Sequence, residues 1–181
     1  MQYITSEEEL SNKLAETLSG KEVNIICLGN ELRGDDSVGI HICRELMRCG
    51  IRNVITCEDD PITCVYESLT ERTASTLLII DAIDLKIKPG TAVIADLDEV
   101  EEYLTPLSTH LLPLSTVTKL LKEVTKHDFN VLVLGIQVLR TDPDQSLSGD
   151  VLNTAQKVIK AITKIWTALS PLSRSVNTLN S

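Results

Sequence analysis

Asp35, Asp36, Asp81 and His110 are the residues of this chain whose types and placement suit them to chemistry. The first two close the stretch Asn24–Asp36, NIICLGNELRGDD, where an apolar run from Val23 to Leu28 meets Gly29-Asn30. Beyond them, Val38, Ile42, Cys43, Leu46 and Cys49 recur at helical spacing. The pattern reads strand, loop, acid pair, helix, and in an open α/β sheet the carboxyl end of a strand is where ligands bind. Asp81 stands near the carboxyl end of a second apolar run, TLLIIDAI, and His110 in a loop just before a helix. A bare carboxylate in such a run is costly, so Asp81 must find a cation, a donor or water. Two neighbouring carboxylates hinder each other's ionisation unless a positive centre lies between them. With one imidazole they form a mixed O/O/N set suited to a borderline divalent ion such as nickel or zinc.

Each residue also has a plainer reading. Asp36 can be an N-cap, Asp81 can bind amides of the following turn, and His110 can be an ordinary loop histidine. His41 reads as a helix-face residue and His127 as a charge at a helix C-terminus. Arg33-Gly34-Asp35 spells RGD, expected here as a tight turn rather than an adhesion signal. The string holds no GxGxxG, P-loop, HExxH or GxSxG. GNELRGDD puts acid where a phosphate cradle uses glycine, which counts against a nucleoside- or phosphate-handling enzyme. No residue is assigned as nucleophile.

The elements that must position these side chains follow from periodicity. Ser6 to Glu9 forms a capping box for a helix over 6–20, with Leu10, Leu14 and Leu18 on one face. Strands are expected at Val23–Gly29, Val54–Glu58, Thr76–Ile83, Ala92–Leu97 and Asn130–Val138. Helices are expected from Asp36 to near Gly50, from Pro61, from Pro113 and from a Ser148 cap. The link DLKIKPGT is too short for a crossover helix, so the fourth strand should run antiparallel. The expectation is one α/β domain, three-layer α/β/α, with a five-stranded mixed, mostly parallel sheet. Residues 1–22 form an accessory helix, 23–166 the core, and 167–181 a polar, frayed tail.

Composition narrows the partners. The 181 residues suffice to bury roughly 70% of the unfolded surface. A net charge of −9 argues against nucleic acid and anionic membrane. No apolar run approaches the roughly 20 residues of a membrane span, and MQYITSEEEL is no signal peptide, so a cytoplasmic protein is expected. Cys27, Cys43, Cys49, Cys57 and Cys64 form no CxxC and sit in apolar patterns, so they read as small buried hydrophobes.

Taken together, GNELRGDDSVG, LLIIDAIDLKIKPGT, STHLLPL, LGIQV and a late Leu-Ser before the last helix resemble the hydrogenase maturation proteases. The resemblance runs from about Val23 to Trp166 and is nearest to the hydrogenase-3-type and methanogen subgroup. It implies a five-stranded sheet between helices with one antiparallel strand. It implies an endopeptidase that removes the C-terminal extension of a nickel–iron hydrogenase large-subunit precursor after nickel insertion. Carried over by position, Asp36, Asp81 and His110 are the residues that recognise that nickel. On this reading no cofactor is permanently bound: the metal arrives with the substrate, and nickel, cadmium or zinc can occupy the site. The chain departs from the family pattern at CEDDPIT, where Glu58, Asp59 and Asp60 replace small residues and Ile62 replaces a glutamate. Ser37 replaces a frequent glycine, and GIQV stands for GIQP. The altered loop leaves a second reading open, a non-cleaving chaperone that binds the metal-loaded precursor. Cleavage site, hydrogenase served and oligomeric state do not follow from the string.

Overall fold

The structure, a computed structural model, describes residues 1–4, 6–58, 60–71, 74–101, 112–125 and 128–169. Its strands are β1 (Gln2–Ile4), β2 (Val23–Leu28), β3 (Val54–Cys57), β4 (Thr76–Ile83), β5 (Ala92–Asp96) and β6 (Asn130–Gln137). Its helices are α1 (Glu7–Leu18), α2 (Val38–Arg48), α3 (Pro61–Glu71), α4 (Leu97–Glu101), α5 (Leu112–Thr125) and α6 (Gly149–Leu169). A 3-10 turn, Gly34–Ser37, separates β2 from α2.

The strands form one sheet in the order β1-β5-β6-β4-β2-β3. β3, β2, β4 and β6 run parallel, and β5 runs antiparallel to both β6 and β1. The short link after β4 thus does what its length demands. The sheet has six strands where five were expected. β1 escaped the sequence reading because three residues, two of them exposed, carry no period. It exists by pairing Gln2, Tyr3 and Ile4 with Ile94, Val93 and Ala92, which covers the edge of β5.

Helices fill both faces. α1, α2 and α6 close one side over Leu14, Leu18, Ile25, Leu46, Ile80, Val158 and Ile162. α3 and α5 close the other over Ile26, Val65, Leu77, Ile79, Leu114 and Val133. β2 and β4 are buried along their whole length, as strands covered on two faces must be. α1 begins as the capping box requires, with Glu9 N–H donating to Ser6 Oγ at 3.1 Å. α5 starts one residue before Pro113. α6 extends to Leu169, so residues 167–169 belong to the helix rather than to a frayed tail. His127 and residues 170–181 lie outside the described residues.

The cysteines depart from expectation. Cys27 in β2 is joined to Cys43 in α2, and Cys57 at the end of β3 to Cys64 in α3. The Cα atoms lie 6.0 and 6.3 Å apart, within the range a disulfide spans. Sequence spacing cannot reveal such pairs, because strand and following helix bring the residues together across a layer. Each bridge ties a strand to its own crossover helix at the same end of the sheet. Cys49 remains a free, exposed thiol. Thiol titration of the native chain without reductant is therefore expected to count one group, and titration after reduction and unfolding all five. Reduction should also lower the melting temperature, since loops of this length contribute about 2–4 kcal/mol when closed. Five titratable thiols in the unreduced, unfolded chain would contradict the pairing.

Candidate active site at the carboxyl edge of the sheet

Asp81 occupies the sixth position of β4 and is 1% exposed. Alternation along the strand puts it on the face of Ile79 and Ile83, the face covered by α3 and α5. Its Oδ1 accepts the N–H of Ala82 at 2.8 Å. Its Oδ2 is buried and has no hydrogen-bond partner among the described residues. Burial first, and the charge of Asp36 second, push the Asp81 carboxyl well above the usual aspartate value of 3.8. The amide of Ala82 opposes the shift and does not overcome it. The plain reading of Asp81 thus accounts for one oxygen and leaves the other orphaned, which an ordinary buried carboxyl group avoids.

Asp36 reaches this carboxyl from the 3-10 turn. It is not the N-cap of α2: that position is Ser37, which makes no side-chain capping bond. The turn is held by its own backbone, with Asp36 N–H donating to Arg33 O at 2.9 Å and Asn30 N–H donating to Asp36 O at 3.3 Å. Two glycines let this turn sit on the strand ends. Gly29 has φ +140°, and a Cβ there would lie 2.1 Å from the Asp36 carbonyl oxygen. A Cβ on Gly39 would lie 2.2 Å from Leu28 O and 2.7 Å from Ile80 O. The first turn of α2 therefore rests directly on the ends of β2 and β4.

Asp35 does something else. It is fully buried. Its carboxylate accepts four hydrogen bonds: Leu139 N–H at 2.8 Å, Arg140 N–H at 3.1 Å, Ser148 N–H at 2.6 Å and Ser148 Oγ–H at 2.9 Å. Its own N–H donates to Arg140 O at 3.0 Å. The acid pair is thus divided in function. Asp36 meets Asp81, while Asp35 fastens the loop after β2 to the loop after β6 and the start of α6. Ser148 stands where the sequence placed it, directly before α6 with its carbonyl accepting Leu152 N–H at 2.9 Å, and its hydroxyl donates to Asp35. Buried inside the fold, the aspartate of the RGD triplet has no surface to offer an adhesion partner.

Sequence reading passed over a neighbouring network. Asp84, just beyond β4, accepts from Gln137 Nε2 at 3.1 Å and is paired with Lys86. Burial works to raise its carboxyl, but bonds from Lys86 and Gln137 prevail and hold it below the ordinary value. Gln137 Oε1 accepts Leu85 N–H at 2.8 Å, so this side chain bridges the ends of β4 and β6. A glutamine closing the apolar run NVLVLGIQ was the available signal.

His110 lies outside the described residues. Among the described residues, no group of three or more histidine, cysteine, aspartate or glutamate side chains forms a metal cluster. Asp36 lies near enough to Asp81 for its charge to raise that carboxyl. No described helix is long and apolar enough to cross a membrane.

The family model described as hydrogenase maturation protease, HycI, matches residues 63–165. The chain belongs to the hydrogenase maturation protease family. A Methanocaldococcus jannaschii protein whose name provisionally assigns it as a hydrogenase maturation protease is 32% identical over 157 residues, covering 78% of this chain and 90% of that one. The hydrogenase 3 maturation protease of Escherichia coli K12 is 30% identical over 118 residues, covering 62% of this chain and 70% of that protein. The crystal structure of a NiFe hydrogenase maturation protease HycI from Thermococcus kodakarensis superposes with a TM-score of 0.69 at 27% identity, over 84% of this chain and 97% of that one. A hydrogenase maturation protease is an enzyme acting on a peptide bond, and membership of the family puts this chain in that class. The α/β sheet with its antiparallel strand agrees with the family's architecture.

Proposed function

We propose that this protein is the endopeptidase that removes the C-terminal extension of a nickel–iron hydrogenase large-subunit precursor, acting on the nickel-loaded form. The supporting observation is the orphaned Oδ2 of Asp81 beside Asp36. Two neighbouring carboxyl groups, one half-buried and the other fully buried with one oxygen that no described residue donates to, are stabilised by a cation. In a protease that cation can come with the substrate. Asp36 and Asp81 would then face the precursor's nickel from the ends of β2 and β4. His110 is proposed as the third group; it stands two residues before Leu112, the first residue of α5, whose face Asp81 shares. The substrate's metal supplies Lewis-acid character near the scissile carbonyl. The chain's own residues orient that metal, and at Asp81, which binds its proton more tightly than a free aspartate does, metal and proton compete for the same carboxyl. Nickel, cadmium or zinc ions should bind the isolated protein through the same side chains.

The test is incubation of nickel-loaded and nickel-free precursor with the protein, followed by intact-mass measurement. Shortening of the loaded form alone is expected. Shortening of neither form at stoichiometric enzyme would overturn the reading. Complex formation without shortening would instead favour the chaperone reading, for which the substituted loop after β3 speaks. At the start of α3, Asp60 Oδ1 accepts Ile62 N–H and Thr63 N–H, both at 3.1 Å. Glu58 lies 3.8 Å from Arg44, which also pairs with Glu31.

A further inference from the structure

Among the described residues, two of the exposed large apolar side chains stand on loops at the carboxyl edge of the sheet rather than on a helix or strand. Leu32 is 70% exposed and Leu139 58% exposed. Leu32 N–H donates to Asn30 Oδ1 at 2.9 Å, and Leu32 O accepts Asp144 N–H at 2.9 Å. Leu139 N–H is one of the donors to the buried Asp35 carboxylate. Arg33 Nε donates to Thr141 O at 3.4 Å, a further tie between the same two loops. The backbone under both leucines is therefore fixed by buried or cross-loop bonds while their side chains face solvent. Such a surface binds with little loss of backbone freedom, because its order already exists before contact.

Position gives the occupant. Leu32 stands four residues before Asp36 on the same loop. Leu139 stands two residues after Gln137, at the carboxyl end of the strand beside β4. A polypeptide that brings a bond to Asp36 and Asp81 must pass over the loops that carry these leucines. We infer that Leu32 and Leu139, held in place by Asp35, form the docking face for an apolar segment of the precursor next to the scissile bond. The leucines are contact residues and Asp35 a positioning residue; neither leucine enters the chemistry. This inference rests on the proposed reading that the substrate is a hydrogenase precursor.

The experiment compares Leu32→Asp, Leu139→Asp and the double variant with the parent chain, using nickel-loaded precursor. Val124→Asp serves as control, an equally exposed apolar residue near the far end of α5. KM is expected to rise at least about tenfold in the double variant, with kcat at saturation and cadmium affinity unchanged, while Val124→Asp behaves as the parent. An unchanged KM in the double variant overturns the inference, as does a fall in kcat alone. So does an equal rise in Val124→Asp, which would reduce the effect to added negative charge. Should the parent bind the precursor without shortening it, the same comparison is read as Kd, and a tenfold weakening upholds the docking face while cleavage falls. Absence of any binding by the parent sinks both.

Discussion

Asp81→Asn is expected to melt at a higher temperature than the parent chain at neutral pH and to leave the precursor uncut. The two effects have one origin. Burial, and then the charge of Asp36, raise the carboxyl of Asp81 well above 3.8, so the folded state holds this proton more tightly than the unfolded chain does. The stability contributed by that proton is fully present below the unfolded value. It is lost as pH rises from there through the raised folded value. The parent at neutral pH, above the unfolded value, has therefore lost part of it, whereas asparagine never ionises. Each pKa unit of such a shift is worth about 1.4 kcal/mol. A domain of this size gains roughly 2–4 °C per kcal/mol, so a measurable rise is expected at neutral pH, vanishing in acid near pH 3. Cleavage should meanwhile fall roughly 100-fold or more, the scale for losing one electrostatic contact in a water-poor site. Thermal melts at several pH values and precursor mass spectra check both. An unchanged or lower melting temperature at pH 7 would refute the account of Asp81. Asp36→Ala should remove cleavage equally, with the fold intact by circular dichroism.

Asp35→Ala has the larger consequence for folding. It strands four donors, on Leu139, Arg140 and Ser148, of which the two on Ser148 are buried. A buried donor left unmade costs about 1–3 kcal/mol. Because the loops relax and admit water, a total of about 3–5 kcal/mol is expected, a large part of the 5–15 kcal/mol that holds a typical domain. Ser148→Ala removes one donor along with its hydroxyl and should cost about 1 kcal/mol. Urea titration of the three chains gives the order directly. A loss below 1 kcal/mol in Asp35→Ala would show that the loops are held by something else.

Much of this was legible beforehand, and particular residues show why. β4 and β6 announce themselves as apolar runs because both faces of those strands are covered. DLKIKPGT fixed the antiparallel β5 by length alone. Asp81 stood out because charge in a greasy strand needs a reason. The rest depended on contacts that sequence distance hides. Asp35 and Asp36 are adjacent and chemically identical in the string, and only the turn geometry sends one inward to Ser148 and the other to Asp81. β1 owes its existence to β5, ninety residues away, and the cysteine pairs to strands meeting their own helices. The resemblance named Asp36, Asp81 and His110 as a set. The described residues bring the two aspartates together, and His110 lies beyond them.

Gly29 and Gly39 set main chain against main chain beneath the two aspartates. Peptide groups have no rotamers to exchange, so neither approach can be relieved by a side chain stepping aside. A methyl group at Gly29 or Gly39 must push the whole turn off the strand ends. The seat of the turn that carries Asp36 is therefore a property of the backbone, and changing the acids alone will not move it.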